Sequence, residues 1–106
     1  MKLESNNRLD LVTRDSINSV MICFDEVEHT FENETLYEYN MVRVPFPYDY
    51  SIIVSAIIND RYSSDRMQAI INNHLLEIND SEHEAEFNEM QAWRAHAKEI
   101  GHLVCD

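Results

Sequence analysis

The chain has one glycine, two prolines and two cysteines in 106 residues. The single glycine excludes several chemistries outright. A P-loop needs two glycines at fixed places and a dinucleotide fingerprint needs three, because only glycine lets backbone come close to phosphate. A nucleophile elbow of the G-x-S-x-G type also needs two. Basic residues are scarce: eight Lys and Arg stand against twenty Asp and Glu, a formal charge of −12. Such a surface repels nucleic-acid phosphates and anionic membranes, so neither is expected as a direct partner. It fits high solubility, and it fits a basic partner. No apolar run approaches the roughly 20 residues that span a bilayer. The opening segment, Met1 to Arg8, lacks the apolar core of a secretory signal, which gives a cytoplasmic expectation. Two cysteines are too few for a disulfide scaffold, so Cys23 and Cys105 read as free thiols, with Cys23 filling core.

What is present divides at Pro45-Phe46-Pro47. Proline suits neither sheet interiors nor helix interiors, so this segment reads as a connector within one domain, 1–106. Residues 1–44 form a β-rich half, 45–48 the connector and 49–106 a helical half. In the first half, Val20, Ile22 and Phe24 alternate onto one face. The β-rich run continues through Val27 and Thr30-Phe31 with acids between, and Glu32-Asn33-Glu34 make a turn. The return strand, Thr35 to Val44, puts Leu36, Val42 and Val44 on one face and Tyr37, Tyr39 and Met41 on the other. An antiparallel hairpin follows. An isolated hairpin is marginal in water, and Leu9 to Thr13 is the candidate third strand.

The second half reads as three helices. The first runs from Asp49, its N-cap, to Arg61, with Ile52, Ile53, Ala56, Ile57 and Ile58 at helical spacings. The second follows a cap at Ser63 or Ser64, with Met67, Ile70, Ile71 and Leu75 as its stripe. In the third, Ser81 and Glu84 suggest a capping box. Phe87, Met90, Trp93, Ala97, Ile100 and Val104 recur at three- and four-residue spacings, and Gly101 falls where a left-handed C-cap is expected. The fold class expected is α+β: a small antiparallel sheet packed against about three C-terminal helices. Trp93 and its stripe read as core, with a partner-binding face as the other reading.

Motifs for site chemistry fail on inspection. His83-Glu84 opens like a zincin motif, but Phe87 stands where its second histidine belongs. His96 and His102 are badly spaced for one helix face, and the helix is expected to end between them. No stretch carries the alternating acids and glycine of a calcium loop. Glu82, Glu84, Glu86 and Glu89 suit the N-terminal half of a helix electrostatically, which needs no catalytic role. No catalytic, cofactor or metal residue is therefore assigned, and the chain is expected not to be an enzyme.

Two acidic blocks remain. Asp25 to Glu38 holds six acids and Glu77 to Glu89 another six, neither with any Lys or Arg. They read as solvated surface or as an electronegative face for a basic partner.

Tyr48-Asp49-Tyr50-Ser51-Ile52-Ile53-Val54-Ser55-Ala56-Ile57-Ile58, then Arg61-Tyr62-Ser63-Ser64-Asp65-Arg66-Met67-Gln68-Ala69-Ile70, and later Glu89-Met90-Gln91-Ala92-Trp93-Arg94, make a pattern. It resembles small uncharacterised proteins encoded by phages and prophages of gut bacteria, often near virion structural genes. The resemblance spans Tyr48 to Arg94 and implies a virion-associated or assembly role. That family brings no established site, so no functional residue is carried over. The function expected is a non-enzymatic interaction protein, a minor structural or assembly accessory of a phage, with protein partners and virion association or self-association open. Candidate contacts are the strand face of Tyr37, Tyr39 and Met41, and Glu82, Glu86 and Glu89 on the third helix. An acidic inhibitor that imitates nucleic acid is the alternative.

Overall fold

Alternation in the first half does build a hairpin, and the hairpin sits inside a larger sheet. The computed structural model describes residues 1–77 and 79–106. β1 (Lys2–Ser5), β2 (Val12–Ser16), β3 (Ser19–Phe31) and β4 (Glu34–Pro45) form one antiparallel sheet in the order β1-β4-β3-β2. Three helices follow, α1 (Tyr50–Arg61), α2 (Ser64–Leu76) and α3 (Ser81–Cys105). The fold is α+β, as expected. The third strand begins at Val12, three residues later than expected from Leu9. β1 adds a fourth, placing Leu3 opposite Tyr39.

Val20, Ile22 and Phe24 share the helix-facing side of the sheet with Val42 and Val44. Ile53, Val54 and Ile57 of α1, Ile70 of α2, and Met90, Trp93, Ala97 and Ile100 of α3 complete this core. Ile22, Ile53, Ile57 and Met90 are wholly buried. Trp93 therefore belongs to the core, and its indole N–H donates to the Ile57 carbonyl at 3.0 Å, satisfying the ring's only polar group.

Local signals set the helix starts. Asp49 accepts from the Ile52 N–H at 2.9 Å and Ser63 from the Arg66 N–H at 3.1 Å, so both expected caps are in place. At α3 the cap is Asp80, one residue before Ser81, and its Oδ1 takes the N–H groups of Glu82 and His83 at 2.9 and 3.0 Å. A carboxylate accepts both bonds at once, which displaces the serine from the role expected of it. Leu75 leaves the α2 stripe, lying 66% exposed.

Gly101 corrects another expectation. α3 runs through it to Cys105, and Gly101 is buried inside the helix. A Cβ there would lie 2.7 Å from Val54 Cγ2 and 2.9 Å from the Tyr50 ring. The missing side chain lets α1 and α3 approach closely, so the residue serves packing rather than chain reversal. It follows that His96 and His102 lie on one continuous helix.

The molecule is spread out. Its radius of gyration is 16.4 Å and its extents are 48 × 39 × 22 Å, against roughly 13 Å for a compact domain of this size. From Asp25 to Phe31 every β3 residue is exposed. Among the described residues, no helix is long and apolar enough to cross a membrane.

Candidate functional site

The hairpin changes character at Asp25. Pairing of β3 with β4 slips between Phe24 and Val27, where Phe24 faces Asn40 and Val27 faces Glu38. Asp25 and Glu26 together oppose Tyr39, which makes a β-bulge. Asp25 takes a positive φ of 56°, a conformation in which a side chain is crowded against its own backbone. The strain is held by contacts on both sides. Asp25 Oδ1 meets His96 Nε2 at 2.7 Å, and Asp25 Oδ2 accepts from the Asn40 amide at 3.1 Å. Asn and Asp tolerate this backbone region better than most residues, which suits the position.

Glu26 turns to the other face. It accepts from Arg8 at 3.1 and 2.8 Å, and from the Tyr39 hydroxyl at 2.7 Å. Tyr39 in turn accepts the Leu9 N–H at 2.8 Å. The Arg8 bonds, then the Tyr39 bond, hold the Glu26 carboxyl below the ordinary carboxylate range. Burial pushes the Tyr39 hydroxyl up. This network lays residues 8 and 9 across the sheet face away from the helices. A small second core forms there from Cys23, Tyr39 and Met41, joined by Leu3, Leu9, Met21 and Tyr37. Burial also pushes the Cys23 thiol up, which disfavours a reactive thiolate.

Beyond the bulge lies a two-stranded arm. A turn at Glu32 and Asn33, with φ of 46° and 70°, joins Phe31 to Glu34. Two positive φ values in a two-residue loop match the type I′ turn whose twist suits a tight hairpin. Opposite residues share a face, so Val27, His29, Phe31 and Leu36 lie on the same side of the arm. Phe31 is 74% exposed and Val27 49%. Neither was singled out from the sequence, where both fall in the continuation of the first strand. β2 pairs only with Ser19 to Ile22, so the outer β3 edge of the arm is not covered by a strand, while β1 reaches the arm's β4 edge at Tyr37 and Glu38 and stops there.

The arm carries the first acidic block. Glu38 lies 3.4 Å from Lys2 and 3.5 Å from His29, Glu26 is paired with Arg8, and Asp25 with His96. Among the described residues, Glu28, Glu32 and Glu34 form no ion pair. Exposed apolar side chains are thus set among uncompensated carboxylates.

The other expected contacts divide. Tyr39 is 2% exposed and Met41 1%. Both are withdrawn from the surface because the chain from Leu3 to Leu9 covers that face. Tyr37 is half-buried at its margin, with the Arg8 guanidinium 5.9 Å above the ring. Glu82 and Glu86 are exposed on α3, and Glu89 is exposed beside a cleft of about 450 Å³ that Arg61, Trp93 and His96 also line. The Arg61 guanidinium stacks 3.6 Å from the Trp93 ring centre. Glu82 and Glu86 do not join the arm. At 1.5 Å per residue Glu82 sits about 20 Å along α3 from His96, where the helix meets Asp25.

Glu77, Asp80 and His83 bring one ligand atom each within 4.8 Å of one another at the α2–α3 turn. His83 Nδ1 is 3.4 Å from Glu77 Oε2 and 4.0 Å from Asp80 Oδ1. One imidazole and two carboxylates match a divalent cation in donor type. The setting does not. Asp80 Oδ1 already accepts two backbone N–H groups, and the positive end of the α3 dipole opposes a cation. The bond from the His83 N–H, first among the causes, holds the Asp80 carboxyl below its ordinary range, as a helix cap does. The cluster reads as capping.

No protein-family model matches the chain, and neither the curated proteins nor the solved structures provide a match.

Proposed function

We propose that this chain is a non-enzymatic interaction protein that engages a basic protein partner through the β3–β4 arm, as a minor structural or assembly accessory of a phage or prophage. One observation carries the reading. A hairpin arm leaves the body with Val27 and Phe31 exposed, its β3 edge unpaired and Glu28, Glu32 and Glu34 without counter-charges among the described residues. Exposed apolar side chains on one face, rimmed by charge, suit a docking surface. The phage context rests on the resemblance over Tyr48 to Arg94.

The nucleic-acid mimic keeps some support from those uncompensated carboxylates. A mimic needs its charge continuous over one face, however. The second acidic block's α3 members lie about 10 Å (Glu89) to about 20 Å (Glu82) along the helix from His96 at the base of the arm, beyond the screening length of about 8 Å. Arg61 also borders the cleft beside His96.

The test compares the wild type with Val27→Ser/Phe31→Ser in pull-downs from host lysate at low and high salt. The proposal expects the wild type to retain virion or assembly proteins at both salts and the variant to lose them. A DNA-binding enzyme retained at low salt only, equally by both proteins, would reverse the ranking.

A further inference from the structure

We infer that the open outer edge of β3, from Val27 to Phe31, takes up an extended strand from a basic partner protein, with apolar and Lys or Arg side chains alternating along it. This rests on the reading of the arm as the interaction site and names how that site is used.

The hydrogen-bond pattern of the arm defines what the edge offers. Phe31 and Glu34 flank a two-residue turn, so they bond to each other through both backbone groups. His29 and Val27, at the same parity, also bond towards β4. Glu28 and Thr30 therefore point their N–H and C=O groups outward. Further back the outward lane is filled: the Cys23 N–H donates to the Leu11 carbonyl at 2.9 Å, and β2 continues from there. The vacant stretch is the prolongation of the β2 lane. Its five residues, Val27 to Phe31, span about 17 Å at 3.4 Å each. That is enough for the main-chain bonding of strand addition.

The two faces of the edge specify the incoming side chains. A residue opposite His29 would lie beside that imidazole, flanked by Val27 and Phe31 on the same face. A residue opposite Glu28 would fall on the other face, beside that carboxylate. An apolar–basic alternation satisfies both faces at once, because the side-chain period of a strand is two. Charge selects the occupant. A second copy of this chain pairing edge to edge would set side by side two arms that each carry Glu28, Glu32 and Glu34 without counter-charges, and like charges across a strand pair destabilise it. The acids thus oppose self-pairing, as charged residues on natural sheet edges do. They leave a basic strand as the complement.

The experiment uses the full chain and a blocked six-residue peptide of alternating Val and Lys. Three measurements accompany it: a Val/Glu peptide, a Val/Lys peptide N-methylated at the alternate amides that would face the arm, and amide exchange by NMR. Strand addition expects the Val/Lys peptide to bind and the Val/Glu peptide not to. It expects N-methylation to weaken binding by about tenfold or more, since each lost hydrogen bond is worth up to about one factor of ten. The Glu28 and Thr30 amides should gain protection on binding, while those of His29 and Phe31 change little. Failure of the Val/Lys peptide to bind overturns the inference. So does equal binding of the methylated peptide, which would leave the acidic arm as a charge-based contact and the proposed function standing. Peptide binding with the expected protection, together with undiminished partner capture by Val27→Ser/Phe31→Ser, would uphold the edge chemistry and reject the proposed function.

Discussion

Asp25 and His96 are 71 residues apart in sequence, and their side chains meet at 2.7 Å. The contact ties the base of the arm to the middle of α3. It is made by a residue held at a φ of 56°, so the bulge both strains the backbone and aims the carboxylate that compensates for the strain. Asp25→Gly and Asp25→Ala separate these effects. Both remove the bonds to His96 and Asn40, but only alanine keeps the left-handed penalty of about 1–2 kcal/mol. Urea unfolding should show both variants less stable than wild type, with the alanine variant lower by about 1 kcal/mol after allowance for glycine's greater unfolded-state entropy. Equal midpoints would mean that the backbone stores no strain there.

Gly101 gives a second prediction. Alanine normally stabilises a helix interior over glycine by about 1 kcal/mol. Here its Cβ would meet the stiff Val54 side chain and the Tyr50 ring. Overpacking costs about 1–3 kcal/mol, so Gly101→Ala should be destabilising by about 1 kcal/mol net. Gly101→Leu should be far worse. Thermal melts of the two variants check the order.

The Arg8–Glu26–Tyr39 network predicts a pH effect. Glu26 has its carboxyl lowered in the folded state, chiefly by Arg8. Its contribution is therefore fully present above the unfolded glutamate value of about 4.3. It is lost as pH falls through the lowered folded value. Glu26→Gln should be less stable than wild type at neutral pH, and the gap should close in acid. Urea midpoints of both proteins across the acid range test this. A constant gap would show that the carboxylate charge is not what the network uses.

Tyr39 tests the second core separately. Tyr39→Phe keeps the ring but leaves the Leu9 N–H and Glu26 without the hydroxyl. A loss of about 1–3 kcal/mol is expected. Hydrogen exchange should show residues 8 and 9 loosened, with the α1–α3 core unchanged.

Much of the fold was legible because period and capping are local. Val20, Ile22 and Phe24 alternate onto the core face as expected, and Met90, Trp93, Ala97 and Ile100 are buried at their helical spacings. Asp49 and Ser63 cap as expected. What was not legible depends on distant contacts. Tyr39 and Met41 alternate away from the helices, which from the sequence means exposure. Leu3 and Leu9 cover them, and no periodicity announces a segment that folds across a sheet. Gly101 near a chain end suggests a cap, and only the approach of Val54 shows its packing role. The bulge at Asp25 was hidden for the same reason, since His96 is what holds it. The expected contacts at Glu82 and Glu86 are on the surface as acids usually are, but the arm's own Val27 and Phe31 stand out only once the helices are seen to stop short of them.

The most direct test of the arm as the docking surface is affinity for the captured partner, measured by calorimetry with wild type and Val27→Ser/Phe31→Ser, after urea unfolding of both. Exposed positions usually change stability by no more than about 0.5 kcal/mol each. The two proteins should therefore unfold at closely similar urea concentrations while the variant binds at least about tenfold more weakly, about 1.4 kcal/mol. Unchanged affinity in a folded variant would contradict the claim and place the partner elsewhere on the molecule.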